Sequence, residues 1–272
     1  MNYPWTKYIH LGIVAQAFYQ GIRDRKGPVA ETIGKIAADP FFQAVELAGA
    51  EDPGIQKELS GILKASGKTL VFSGGGYCYS GQNNLHDLDE GRRENAIRNV
   101  EKIIDEAHGY GCRILYVMGF EAPPSGKEEA KEKFADSLLR LADYARTKNP
   151  KAPMTISVEN FYILKDTPFL IGPTLDFAAM LRGLRRKAPN LGLTFDTSHI
   201  LQLKEDLPST YRQVQDVIAH VHLSNCLIKD RASPFYGDKH PPYGLPGSEI
   251  GIAELAGFFK ALKDSGHFSR SS

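Results

Sequence analysis

The chain has 272 residues, of which 42% are hydrophobic and 24% charged, enough apolar material for one domain with a sizeable core. Its formal net charge of +1 gives no bulk attraction for nucleic acid or an anionic membrane, so neither partner is expected. No apolar run reaches the roughly 18 residues of a membrane span, and the three cysteines lack C-x-x-C or framework spacing, which predicts a cytoplasmic protein.

Strand-like and helix-like segments alternate along the chain. The predicted strands are Tyr8–Val14, Gln43–Leu47, Lys68–Ser73, Arg113–Met118, Met154–Asn160, Leu191–Asp196 and Ile218–Ser224. The predicted helices are Pro28–Ala38, Pro53–Ala65, Asp89–His108, Lys127–Lys148, Thr174–Lys187, Asp206–Val217 and Ser248–Asp264. Such alternation predicts parallel strands joined by right-handed crossovers. With no dinucleotide fingerprint, a single (β/α)8 TIM-barrel domain over residues 1–272 is favoured over an open doubly wound sheet.

The eighth strand of this barrel is expected to be missing or irregular. After the last predicted helix only Gly266–Ser272 remain, and they include no Asp or Glu. Seven strands leave a gap that exposes unpaired backbone groups on the first and seventh strands. Either Gly266–Ser272 make a short irregular strand, or a partner chain covers the gap. The second alternative would make the protein a homo-oligomer if the partner is another copy of this chain.

Polar side chains occupy one side of several predicted strands. Thr155, Ser157 and Glu159 alternate with apolar residues on the fifth strand, and His220 and His222 do so on the seventh. The apolar sides suit an outer layer of helices, and the polar sides would face the barrel axis. The strand-end residues that would converge on the C-terminal mouth, where barrel enzymes place their chemistry, are Glu46, Ser73, Glu159, Asp196 and His222.

Three of these residues predict a metal site. Glu159, Asp196 and His222 end three successive strands, and two carboxylates with one imidazole are suitable ligands for Mn²⁺, Co²⁺, Mg²⁺ or Zn²⁺. A hydrogen-bonded network without metal is the alternative. Taken alone, Asp196 fits equally well as the N-cap of a short helix. Because three independent strands show the same arrangement, the metal site is the preferred interpretation.

Further candidates surround this cluster. His199 lies just past Asp196 and could bind a substrate hydroxyl, bind a second metal, or serve as a solvated cap residue. The long loop Cys226–Gly247 is rich in Pro, Gly and aromatic residues, and is predicted to be functional rather than an ordinary surface loop. The predicted substrate-binding residues are His10, Glu46, His199, Lys229, Asp238 and His240.

Together these motifs resemble the xylose isomerase-like TIM-barrel superfamily, and within it the sugar phosphate isomerase/epimerase family. The segments that carry the resemblance are Val45–Leu47, Val158–Asn160, Phe195–His199 and His220–Asn225. The resemblance implies a divalent metal ion held by Glu159, Asp196 and His222, with His199 near the substrate. The family normally adds a Glu from the eighth strand, which this sequence does not show.

The function implied is a metal-dependent isomerase or epimerase of a small ketose, keto-polyol or related sugar. Catalysis would proceed by proton abstraction next to a carbonyl, with Glu159 and His199 as catalytic residues. A related metal-dependent dehydratase or lyase would use the same chemistry. A non-catalytic barrel that binds a sugar or a partner subunit is a further alternative.

A zinc-dependent endonuclease of the endonuclease IV type, acting at abasic sites, ranks second. Its D-x-x-H and D-x-H motifs match Asp196–His199 and Asp238–His240. Its further histidines on the third and fourth strand ends are not seen, since Ser73 and Met118 stand near those positions. The near-neutral charge also lacks a nucleic-acid footprint.

Overall fold

The structure is a computed structural model that describes residues 4–80, 82–161 and 169–267. Seven parallel strands form one curled sheet in which each strand pairs with the next along the chain. They are β1 (Gly12–Val14), β2 (Ala44–Leu47), β3 (Thr69–Ser73), β4 (Ile114–Met118), β5 (Thr155–Glu159), β6 (Leu191–Asp196) and β7 (Ile218–His222). Each lies within its predicted range, and the architecture is a TIM barrel with an incomplete wall.

Helices follow the strands and cover the outside of the sheet. They are α1 (Ala15–Phe18), α2 (Val29–Ala38), α3 (Pro53–Ser66), α4 (Gly75–Ser80), α5 (Glu90–Tyr110), α6 (Lys127–Lys148), α7 (Thr174–Arg185), α8 (Thr197–Gln202), α9 (Leu207–Val214) and α10 (Ile252–Asp264). The seven predicted helices are confirmed, with ends shifted by a few residues. The short α1, α4 and α8 were not predicted, because four to six residues show no helical period. Among the described residues, no helix is both long and apolar enough to cross a membrane.

The outer helices begin and end where local chemistry dictates. The carboxylates of Asp52, Asp89 and Asp206 accept hydrogen bonds from the first-turn backbone N–H groups of α3, α5 and α9. Gly67 and Gly111 then end α3 and α5 in the left-handed conformation, with φ of 64° and 87°. These signals explain why the helix positions were readable from the sequence.

The hydrophobic core lies between the sheet and the helices. Leu115 and Val117 on β4 and Ile156 and Val158 on β5 are fully buried there. Each alternates with a residue that faces the barrel axis, as the sequence pattern predicted. The apolar sides of the strands therefore hold the helices in place, and the axial sides are left to carry polar groups.

The first strand is shorter than predicted. Only Gly12–Val14 pair with β2, although the alternating pattern extends over Tyr8–Val14. The carbonyl of Leu11 accepts from the N–H groups of Gln43 and Ala44 and closes the paired region. Alternation reports which way side chains face, whereas strand length depends on a neighbouring strand, and β1 has a partner on one side only.

The barrel is open between β7 and β1. Within the described residues no strand joins these two edges, as the count of seven strands predicted. Every residue of β7 is partly exposed, whereas every residue of β6 is buried. Gly266 lies in a turn and His267 in a 3-10 helical position, so neither forms a strand. Residues 268–272, where the rest of the predicted irregular strand falls, lie outside the described residues. Coverage of the gap by a partner chain stays a prediction.

Candidate metal and substrate site

Three strands end in one cluster at the C-terminal mouth. Glu159 is the last residue of β5, Asp196 of β6 and His222 of β7, and Asp196 and His222 are register partners. One ligand atom from each lies within 4.8 Å of the others. Glu159 is 5% exposed and Asp196 is fully buried. The structure thus brings together the three residues predicted to bind a metal.

Asp196 divides its two carboxylate oxygens between two tasks. Oδ1 accepts the backbone N–H groups of Ser198 and His199 at 2.8 and 3.1 Å, which caps α8. The hydroxyls of Ser198 and Ser224 donate to the same oxygen. Oδ2 is buried and has no hydrogen-bond partner among the described residues. The cap and the ligand interpretations of this residue are therefore compatible, because each uses a different oxygen.

His222 lies between two carboxylates. Its Nδ1 is 2.8 Å from Oε1 of Glu159, and its Nε2 is 2.9 Å from Oε2 of Glu46. Burial lowers the pKa of His222, but the charges of Glu46 and Glu159 outweigh burial and hold that pKa well above its ordinary value.

Nearby positive charge favours the ionised form of Asp196 in spite of its burial. Burial raises the pKa of Asp196, but the positive charges of His199, His240 and His222 reverse the shift and leave it below its ordinary value. The donor set fits a divalent cation on two counts. It offers two carboxylates and an imidazole at contact distance, and it includes a buried oxygen that lacks a hydrogen-bond donor.

A second cluster lies beside the first. His199, on α8, has its Nε2 3.1 Å from Oδ1 of Asp238, and His240 has its Nε2 2.6 Å from the same oxygen. The Nδ1 of His199 is 3.0 Å from the carbonyl oxygen of Asn160, and the Phe161 ring lies 4.5 Å from the imidazole. The long loop after β7 thereby brings two of its predicted site residues onto α8.

Charge explains why these groups pair so tightly. Burial lowers the pKa of His199, but Asp196 and Asp238 outweigh it and raise that pKa to about 10. Burial raises the pKa of Asp238, whereas hydrogen bonds and charge from His199 and His240 bring it far below its ordinary value. His199 is therefore a fixed cation next to the first cluster.

One cavity of about 2590 Å³ joins both clusters to the open side of the barrel. Its volume exceeds the roughly 300–1,000 Å³ of ordinary ligand pockets, because it continues from the mouth into the gap between β7 and β1. The aromatic and apolar side chains that line it include Tyr116, Met118, Phe161, Phe169, Tyr236 and Tyr243. A small polar molecule with an apolar face fits such a lining.

The model of the xylose isomerase-like TIM barrel family matches residues 35–269. The chain belongs to this family. A search of curated protein sequences found no match.

Several solved structures share this fold at low sequence identity. A D-tagatose 3-epimerase-like protein aligns with a TM-score of 0.69 at 17% identity, over 95% of this chain and 87% of that one. D-psicose 3-epimerase from Clostridium cellulolyticum H10 aligns with a TM-score of 0.72 at 15% identity, over 95% and 82%. An AP endonuclease of family 2 from Brucella melitensis aligns with a TM-score of 0.68 at 18% identity, over 95% and 90%.

Of the other predicted site residues of this xylose isomerase-like barrel, Glu46 contacts the first cluster, whereas His10 and Lys229 lie away from it. His10 precedes β1 and bonds Oγ1 of Thr69, the first residue of β3, at the opposite end of the strands. The Lys229 ammonium is exposed and bonds Glu249 at 2.7 Å. Glu46 lies under His222, 4% exposed. Asp238 and His240 thus lie beside the first cluster, His10 lines the same cavity at the opposite end of the strands, and Lys229 is not among the cavity-lining residues.

Tyr116 is a site residue that the sequence interpretation missed. It lines the cavity, and its ring meets the His222 ring edge to face at 5.2 Å. Its position on β4 opposes the buried Leu115 and Val117, so strand alternation carried the signal. Strand alternation alone does not separate a tyrosine of the site from one of the core, because a tyrosine on a strand is more often a core residue.

Proposed function

We propose that this chain is a divalent-metal-dependent isomerase or epimerase of a small ketose, keto-polyol or related sugar. The observation that carries the proposal is the cluster of Glu159, Asp196 and His222 at the cavity mouth, with Oδ2 of Asp196 buried and lacking a hydrogen-bond donor within the described residues. Membership of the xylose isomerase-like family supports it, and so does the fold shared with two sugar 3-epimerase structures.

The three residues of the cluster would hold the ion. Oδ2 of Asp196, a carboxylate oxygen of Glu159 and Nδ1 of His222 are the available atoms. A bound divalent ion acts as a Lewis acid on a carbonyl oxygen and so makes the neighbouring C–H bond more acidic. These side chains project from the carboxyl ends of their strands. Because β5 and β6 are each paired with a strand on both sides, they hold Glu159 and Asp196 rigidly.

Glu159 is the proposed base. Its carboxylate lies at the cavity wall, 5% exposed, next to the position where a carbonyl-bearing carbon would sit. A base must be within hydrogen-bond reach of the proton that it removes, which the position of Glu159 on the cavity wall allows. Glu159 would take the proton from the carbon next to the carbonyl and return it to the neighbouring carbonyl carbon on the same face, which isomerises the sugar. Inversion at the first carbon would need a second group that donates a proton from the opposite face.

His199 and Asp238 are the proposed contacts for sugar hydroxyls. Their mutual hydrogen bond of 3.1 Å lies beside the metal cluster on the cavity wall. A hydroxyl group can exchange into this bond, since it both donates to a carboxylate and accepts from an imidazolium. The positive charge of His199 would also stabilise negative charge that develops on a substrate oxygen.

Proton exchange tests this proposal directly. We expect the full chain, loaded in turn with Mn²⁺, Co²⁺, Mg²⁺ and Zn²⁺, to incorporate deuterium from solvent next to the carbonyl of at least one ketose in a panel followed by NMR. Glu159→Gln should abolish exchange, and the surface variant Glu128→Gln should retain it. A chain that binds metal and exchanges no ketose would contradict the proposal. Loss of water from the substrate would instead assign a dehydratase.

A zinc nuclease is the second candidate, and the His199–Asp238–His240 cluster favours it. Asp196, His199 and His240 form another group whose ligand atoms lie within 4.8 Å of one another. The AP endonuclease fold of similar TM-score supports the comparison. Elemental analysis separates the two functions, because a nuclease of this type would hold about three zinc ions and an epimerase about one. Cleavage of duplex DNA at an abasic site would then confirm the nuclease.

A further inference from the structure

The imidazole of His222 has a carboxylate at each ring nitrogen. Glu159 faces Nδ1 at 2.8 Å from β5, and Glu46 faces Nε2 at 2.9 Å from β2. β2 and β7 are not paired, so Glu46 reaches His222 across the barrel axis. Only the first of these carboxylates belongs to the metal cluster described above.

Packing holds the His222 ring on its remaining sides. The Tyr116 ring meets it edge to face at 5.2 Å, and the His220 ring does so at 4.8 Å. His220 also places its Nε2 2.9 Å from the same Glu46 oxygen that faces His222. One carboxylate oxygen therefore serves two imidazoles from one strand.

Glu46 is built as an ionised acceptor. Its side chain is 4% exposed, and its other oxygen, Oε1, is buried without a hydrogen-bond partner among the described residues. Burial raises the pKa of Glu46, but charge and hydrogen bonds from His222 and His220 outweigh it and bring the pKa well below its ordinary value. Burying a carboxylate is costly unless the group is paired, and the two imidazoles supply that pairing.

We propose that Glu46 is the positioning residue of the metal site. By accepting the proton on Nε2 of His222, it fixes the ring orientation and leaves Nδ1 as the atom that binds an ion together with Glu159 and Asp196. A histidine that binds a metal through one nitrogen commonly donates its other N–H to a carboxylate, which also makes it a stronger ligand. This inference rests on the metal site of the proposed function and assigns Glu46 a task other than direct contact with the sugar.

Geometry argues against Glu46 as a ligand of the same ion. The two candidate ligand groups, one with Glu46 and one with Glu159 and Asp196, share only His222. The two ring nitrogens point in divergent directions, so an ion at Nδ1 is out of reach of a carboxylate at Nε2. Glu46 therefore acts on the metal site through His222.

Metal affinity of the full chain tests the assignment without any sugar. We expect Glu46→Gln to weaken zinc binding by about 10- to 100-fold in competition with a chromophoric chelator, because the neutral amide is a poorer acceptor for Nε2–H. The number of ions bound should not change. Glu121→Gln, which alters a carboxylate hydrogen-bonded to Tyr79 instead of His222, should bind zinc as the unchanged chain does.

NMR of the zinc-loaded, unchanged chain gives a second readout that does not depend on a variant. Long-range nitrogen–proton correlations of His222 should show the proton on Nε2, in a hydrogen bond, and none on Nδ1. A proton on Nδ1 would overturn the proposal. It would also be overturned if Glu46→Gln bound zinc as tightly as the unchanged chain and had the same melting temperature. Loss of one of two bound ions in that variant would make Glu46 a ligand and also overturn it.

The two proposals fail separately. If the chain binds zinc and Glu46→Gln weakens it, yet no ketose exchanges protons, the positioning role stands and the epimerase function does not. If ketoses exchange protons with solvent and Glu46→Gln leaves zinc affinity unchanged, the epimerase function stands and the positioning role does not. A chain that binds none of the four metal ions would overturn both.

Discussion

The start of α3 and the tip of β6 carry the same local device in different surroundings. Asp52 and Asp196 each accept a backbone N–H in the first turn of the helix that follows, at 3.0 Å from Ile55 and 2.8 Å from Ser198. Asp52 is exposed on the outer ring of helices, whereas Asp196 is fully buried at the barrel mouth. The same sequence signal therefore describes both residues and does not distinguish their roles.

The difference lies in the second carboxylate oxygen. An exposed cap such as Asp52 can leave its second oxygen to water at little cost. Oδ2 of Asp196 is buried and has no hydrogen-bond donor in the described part of the chain. Burying a charged oxygen without a partner lowers stability, and the proposed metal ion at the β6 tip would offset that cost. Substitutions at the β6 tip and in the outer helices should therefore have different effects on metal affinity and stability.

The largest effect is expected from Asp196→Asn. The amide oxygen can still cap α8, but the charge at Oδ2 is lost, so metal affinity should fall by about 100-fold or more. Zinc titration against a chelator measures this change. Asp52→Asn is the matched control and should leave the affinity unchanged, since that cap lies outside the site. Equal affinities in all three proteins would contradict the assignment of Asp196.

Gly192→Ala should give an intermediate effect through the strand that carries Asp196. A Cβ at Gly192 would lie 2.5 Å from Cβ of Ala219 on β7, so β6 and β7 must move apart. We expect the free energy of unfolding to fall by about 1–3 kcal/mol, as for other overpacked sites. Urea denaturation measures it, and Gly192→Ala with Ala219→Gly should recover much of the loss.

The control for this prediction lies on α3. A Cβ at Gly61 would meet no atom within 4 Å, so Gly61→Ala should raise the free energy of unfolding by about 0.4–1 kcal/mol through lower chain entropy in the unfolded state. If the Gly192 and Ala219 substitutions proved additive, the predicted clash between the two strands would not exist.

The smallest effects are expected at the outer caps. Asp52→Ala and Asp206→Ala should each lower the free energy of unfolding by about 1 kcal/mol, because one backbone N–H of α3 or α9 loses its acceptor. Zinc affinity, measured on the same samples, should not change. A loss of affinity in either variant would show that the outer helices are coupled to the mouth and would weaken the comparison.

The sequence alone was sufficient for the strands and the cluster that they end in. Alternation placed β2 to β7 within their ranges, and the convergence of Glu159, Asp196 and His222 followed from parallel strands ending at one edge. These features depend on residues close together in the chain and on one topological rule. Local propensity and handedness of crossover therefore carry the information.

Only the tertiary structure decided the contacts that depend on barrel curvature and loop path. Glu46 and His222 lie 176 residues apart and meet because β2 and β7 face each other across an open barrel. Asp238 reaches His199 because the long loop folds back over α8. The short length of β1 reflects an edge strand that has one partner. Side-chain patterns specify which face a residue occupies, but distances across the axis depend on how all seven strands pack together.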